Sequence, residues 1–204
     1  MEFLVLGFFT GLSLILAIGA QNIFVIEQGL KKQHVFMVCF ICAISDLLLI
    51  FLGVFLFHFF HQFFNLFVEI VLNVLLVIFL IYFVLSKIKV FQKNIDFNSS
   101  IKDFTKLEIF FKTLGFTYLN IHVYSDTVFF LGNFSKNFLL DEKIYFGAGA
   151  SIASFIFFFG LGYLSNYFSR YAQSNKTWKY INLFIIVFMS ALTVYIVRET
   201  LYLL

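Results

Sequence analysis

Charge is what this sequence of 204 residues has least of: Asp, Glu, Lys and Arg make up 12% of it, about half the share of a soluble domain. With 62% hydrophobic residues and a mean hydropathy of +0.98, the shortage excludes a water-soluble globular domain and leaves an integral membrane protein. Proline is absent, so a break in any helix has to come from packing rather than from a residue that lacks a backbone donor. There are two cysteines, Cys39 and Cys42. Their C-x-x-C sits in an apolar segment with no second pair and no βαβ pattern after it, and reads as two small buried hydrophobes one helical turn apart. The net charge of +3 is small, and the basic residues lie in short loops without interleaved stacking aromatics, so nucleic-acid binding has no support. Gly-rich phosphate loops, nucleophile elbows and paired-cysteine metal motifs are missing too, which argues against an enzyme and against a bound cofactor.

What is present is apolar length. About twenty apolar residues cross a bilayer, and six runs bounded by charges qualify, at about residues 3–26, 35–57, 70–86, 113–135, 144–166 and 180–200. The first has no basic segment before it and stays uncharged from Phe3 to Ile26, so it reads as a span and not as a cleaved signal peptide. Gly7 and Gly11, in a G-x-x-x-G spacing, predict close helix packing. Because the runs are continuously apolar and do not alternate, the fold class is an all-α integral membrane protein, a single transmembrane domain over 1–204. A polar connection at 87–112 separates three spans from three. Eleven of the fourteen Lys and Arg fall in the first, third and fifth loops, which are therefore expected to be cytoplasmic. Six full spans put both termini outside, whereas a first segment broken at Gly19 and re-entrant would put the N-terminus inside. Three spans followed by three of opposite direction predict two three-helix inverted repeats. Ser45 and Gly53 in the second span match Ser154 and Gly162 in the fifth at the same spacing, and Asn22 matches Asn120.

Two acids stand inside apolar runs, Asp46 in the second and Asp126 in the fourth. A charge in hydrocarbon costs at least ~2.5 kcal/mol on insertion scales, so each needs a reason to be there. At similar depth on different helices, they make a site for an ammonium or guanidinium group. The alternative is that a helix neighbour or Arg198 neutralises each and the pair only holds helices together. Tyr118, His122 and Asp126 recur every four residues and predict one helical stripe, in which His122 either relays protons and orients Asp126 or simply packs. A metal site is not indicated: His34, His58 and His61 lie at span ends, and the H-E-x-x-H spacing is absent. Gly19-Ala20-Gln21-Asn22 and Asn120-Ile121-His122 put polar residues where a helix can break, and a broken helix offers N–H groups to a carboxylate. Asn73 either lines the cavity or bonds a neighbour. Helix N-termini for a carboxylate and acids for a cation together suit a zwitterionic or cationic amino acid.

The segment IGAQNIFVIEQGLKKQHV followed by CAISDLLLIFLGV resembles the lysine exporter family of bacterial amino-acid exporters, the LysE and ArgO type. GFTYLNIHVYSDTVFFLG, from Gly115 to Gly132, resembles the family's fourth-span motif, and FGAGASIASFIFFFGLGY, from Phe146 to Tyr163, its fifth span. The resemblance implies an exporter of L-lysine or L-arginine in the bacterial cytoplasmic (inner) membrane, driven by protons or by the membrane potential. It also puts Gln21, Asn22, Asp46, Asn120, His122 and Asp126 on substrate-binding motif positions. One departure is Ile121, where the family commonly has proline. Two other functions stay open: export of divalent metal or other small cations through the same carboxylates, and a membrane scaffold that transports nothing. Lysine, arginine and neutral amino acids are not distinguished, nor monomer from homodimer.

Overall fold

Small residues decide how the chain begins. In the computed structural model, which describes residues 1–16, 19–63, 66–92, 105–172 and 175–203, helix α1 (Glu2–Ile15) buries Gly7 and Gly11 against α8 (Leu140–Ala172). A methyl group on Gly7 would run into the Phe146 carbonyl, and one on Gly11 would sit 2.9 Å from the Ala150 Cα. The backbones therefore touch, as the G-x-x-x-G spacing predicts.

The first apolar run does not continue straight. At Gly19 the backbone is extended (φ −117°, ψ −177°), and α2 (Ala20–Lys31) leaves α1 at 83°. Helix α2 is buried on nearly every side and closes in a tight turn, with Lys32 at φ 57° and its N–H bonded to the Gly29 carbonyl. Gly29 lies against Gly162 of α8, as Gly7 lies against Phe146. The broken pair thus advances along α8 from the level of Phe146 to that of Gly162, about 24 Å at the rise of an α-helix.

Helix α3 (Val35–Phe63) carries Asp46 and departs from helical geometry at Leu56; α4 (Leu66–Gln92) follows. Helix α5 (Lys106–Tyr118) starts with a reciprocal cap, the Thr105 hydroxyl accepting from the Glu108 N–H while the Glu108 carboxylate accepts from the Thr105 N–H. After Leu119 and Asn120 the chain resumes as α6 (Ile121–Tyr124), widens into a π-helical turn (Ser125–Phe130) and ends as α7 (Leu131–Phe134). The run drawn at 113–135 is therefore also two helical pieces. The final pair is α8 and α9 (Asn175–Leu203). Of the polar connection at 87–112, residues 93–104, including Lys93 and Lys102, lie outside the described residues; α4 and α5 take up its two ends.

Among the described residues the regular secondary structure is all helical. Four of the helices are long and apolar enough to cross a membrane, with a fifth span if the bent α1–α2 pair counts as one. The chain is thus a multi-pass membrane protein. Broken and long helices pack crosswise: α1 and α2 lie on α8, α5, the π turn and α7 lie on α3, α3 packs on α8, and α4 pairs with α9. Gly53 of α3 meets Thr127 and Val128 of the π turn, and Gly132 of α7 meets Gly53 in return. The largest apolar cluster joins α2, α3, α4, α5, α8 and α9, with Phe116 stacked 4.7 Å from Phe24 and edge-on to Phe79 and Phe83.

Candidate functional site

A cavity of about 330 Å³ opens where the two helix breaks face α3 and α8. Gln21, Asn22, Asp46, Asn120, His122 and Asp126 all line it. Residues more than a hundred positions apart in the chain are brought together by the crosswise packing.

Asp46 is 3% exposed, and its Oδ2 accepts a 2.8 Å hydrogen bond from the Ser154 Oγ of α8. That bond satisfies one lone pair of the carboxyl group. Ser154 itself lines the cavity. In the sequence Ser154 is visible as the mid-span hydroxyl that matches Ser45 in the repeat. Asp126 is half-buried at the start of the π turn. Single π turns inside α-helices recur at functional sites because they re-aim side chains and free backbone groups. Here the Thr127 hydroxyl donates to the Val123 carbonyl at 2.6 Å, which holds the widened turn in place.

Each helix break has its own support. Gly19 has no side chain to cap α2, and Gly19, Ala20, Gln21 and Asn22 of the helix start line the cavity. The Asn22 Nδ2 donates to the Ile15 carbonyl at 3.2 Å, across the bend to the end of α1, and the Gln21 Nε2 donates to the Thr117 Oγ1 of α5 at 3.1 Å. At the second break Asn120 replaces what proline would do: its Oδ1 accepts from the His122 N–H at 3.2 Å and starts the next helix. His122 stacks near Tyr195, with ring centroids 6.2 Å apart. A cavity lined by two acids and by two helix starts can hold a cation and a carboxylate of one small molecule.

Other placements differ from the sequence reading. The stripe Tyr118, His122, Asp126 is broken, because α5 ends at Tyr118; that residue is absent from the cavity wall and its carbonyl accepts from the Tyr124 hydroxyl at 2.9 Å. Asn73 neither lines the cavity nor bonds a neighbour: it is fully buried in α4 with its amide unpaired. Arg198 is exposed and bonded to the Tyr202 hydroxyl, so it does not neutralise the acids. Glu27, which marks the end of the first apolar run, is buried in an ion pair with Lys31. Cys39 and Cys42, by contrast, are fully buried and unlinked, as two small groups in an apolar segment are expected to be, and the Cys39 thiol donates to the Phe158 carbonyl.

Comparison with known proteins bears on this geometry. A model of the LysE type translocator family matches residues 12–200. The arginine exporter protein ArgO of Pectobacterium carotovorum subsp. carotovorum (strain PC1) is 32% identical over 194 residues, 95% of each chain. ArgO of Salmonella typhimurium (strain LT2) is 31% identical over 194 residues, 95% of this chain and 92% of that one. No solved structure matches the chain.

Proposed function

We infer, from the premise that this chain belongs to the LysE type translocator family and is an amino-acid exporter, that its cargo is arginine or lysine, with arginine favoured by the relatives' names. The cationic end is held between Asp46 and Asp126. The carboxylate is taken by the first turn of α2, with Gln21 and Asn22, and by the second break, with Asn120 and His122. The observation that carries the reading is that one cavity gathers both acids and both helix breaks. Its size lies at the small end of the roughly 300–1,000 Å³ usual for small-molecule sites.

Six spans in two inverted repeats are the architecture we propose for this exporter. Support comes from the crosswise packing of each broken helix on the long helix of the other half, and from the depth the α1–α2 pair covers along α8. In this arrangement the basic first, third and fifth loops face the cytoplasm and both termini face outward, in the bacterial cytoplasmic membrane. Transport then proceeds by rocking one half against the other around the fixed acids, with protons or the membrane potential supplying the drive. Metal export and a scaffold role find no support in the comparisons.

Uptake of labelled arginine and of labelled lysine into inverted membrane vesicles, with and without a proton gradient, tests the proposal. Faster uptake than in vesicles lacking the protein is expected for at least one of them. Equal uptake of both, with and without the protein, would overturn it.

A further inference from the structure

A helix break removes backbone hydrogen bonds, and the second break shows what takes their place. In an unbroken helix the His122 N–H would bond to the Tyr118 carbonyl, four residues back. Here α5 ends at Tyr118 and the two groups find other partners. The donor goes to the Asn120 Oδ1 at 3.2 Å, and the carbonyl accepts from the Tyr124 hydroxyl at 2.9 Å. Two side chains thus supply the two halves of one lost backbone bond, in a chain that has no proline. Inside a membrane protein a backbone group stranded at such a break is costly, because lipid offers it no partner. The two bonds are nested. The one from Tyr124 to Tyr118 closes round the segment that carries Asn120 and His122, which both line the cavity while neither tyrosine does.

The first break repeats the device. In an unbroken helix the Ile15 carbonyl would accept from the Gly19 N–H; here it accepts from the Asn22 Nδ2 at 3.2 Å, and the segment so bracketed puts Gly19, Ala20 and Gln21 on the cavity wall. At both breaks a side chain from the first turn of the second piece ties back to the carbonyl that ends the first. We propose that Tyr124 is a positioning residue for the carboxylate end of the cargo, its hydroxyl holding the second break in the shape that keeps Asn120 and His122 on the cavity wall. The same bond covers a carbonyl at the negative end of α5, two residues from the groups that meet an anion. The inference rests on the reading that the second break takes the cargo's carboxylate, and one of its two readouts needs no cargo.

The test is Tyr124→Phe, which removes the hydroxyl and keeps the ring packed on the cluster of Leu49, Val123 and Val128. Hydrogen exchange of the full-length protein in detergent, without cargo, should be roughly three- to tenfold faster over residues 119–124 than in the parent, the factor set by loss of one ordinary hydrogen bond. Uptake into inverted vesicles should need roughly three- to tenfold more of the transported amino acid, arginine or lysine, for half-maximal rate, while the maximal rate per protein stays within about twofold. The decarboxylated analogue, agmatine for arginine and cadaverine for lysine, keeps the cation and lacks the carboxylate. It should inhibit uptake at the same concentration in both proteins. Unchanged exchange would overturn the proposal whatever the kinetics. So would faster exchange with unchanged half-saturation, a loss confined to maximal rate or to the amount of protein, or an equal weakening of the amino acid and its analogue. If parent vesicles take up neither arginine nor lysine, the cargo reading fails, and the exchange rates alone decide whether Tyr124 holds the break.

Discussion

Asp46→Asn removes one negative charge and almost nothing else. Asparagine has the same shape, and its Oδ1 still accepts the 2.8 Å bond from the Ser154 hydroxyl. Asp46 is buried at 3% exposure on the wall of the cavity, so a cargo cation against it is poorly screened. At about 4 Å and an effective dielectric constant of about 20, two unit charges attract by ~4 kcal/mol. Divided by 1.4 kcal/mol per decade, that is close to three orders of magnitude in transport efficiency. Ser154→Ala supplies the comparison. It keeps the charge and removes one hydrogen bond to it, worth ~1.5–3 kcal/mol, or roughly one to two orders of magnitude. Export of labelled arginine from preloaded cells, normalised to the amount of protein in the membrane fraction, reads both. The expected order is parent, then Ser154→Ala, then Asp46→Asn. An Asp46→Asn protein within tenfold of the parent, or one more active than Ser154→Ala, would refute the idea that this carboxylate meets the cargo's positive charge.

Asn120→Ala should weaken the second helix start by ~1 kcal/mol through loss of the His122 N–H cap, raising the arginine concentration needed for half-maximal transport, while Asn120→Asp retains the cap; equal behaviour of the two would remove the cap from the account. Gly7→Leu pushes a side chain into the backbone at Phe146 and is expected to cost at least the ~1–3 kcal/mol of ordinary overpacking, seen as lost monodisperse protein on size-exclusion chromatography in detergent. Phe116→Ala empties the centre of a four-ring cluster and should destabilise by ~3–5 kcal/mol, read as a lower melting temperature in detergent.

The membrane class was legible from composition, and so were several of the polar residues that line the cavity, for one physical reason: a polar group in an apolar run is costly wherever the helix happens to pack. Asp46, Asp126, Asn22 and Asn120 stood out on that ground alone. The break at Gly19 was also readable, since a glycine followed by Ala-Gln-Asn offers polar groups to a bent backbone. Local pattern misled where helix continuity was assumed. The every-fourth-residue stripe from Tyr118 to Asp126 requires an unbroken helix, and the Asn120 cap and the π turn remove that condition. Glu27 bounds the first apolar run as a charge, and nothing local says that it is buried beside Lys31.

By itself, then, the sequence determined that the chain is helical, lives in lipid, and carries a few polar groups that lipid alone would not tolerate. Only the tertiary structure decided that these groups face one another. Ser154 reaches Asp46 and Gln21 reaches Thr117 across more than ninety positions of chain, and such partners follow from how the backbones approach. That approach is set by glycines at Gly7, Gly11, Gly53 and Gly132 meeting the backbones of other helices. Each is visible as a residue, but its contact exists only once the helices have crossed.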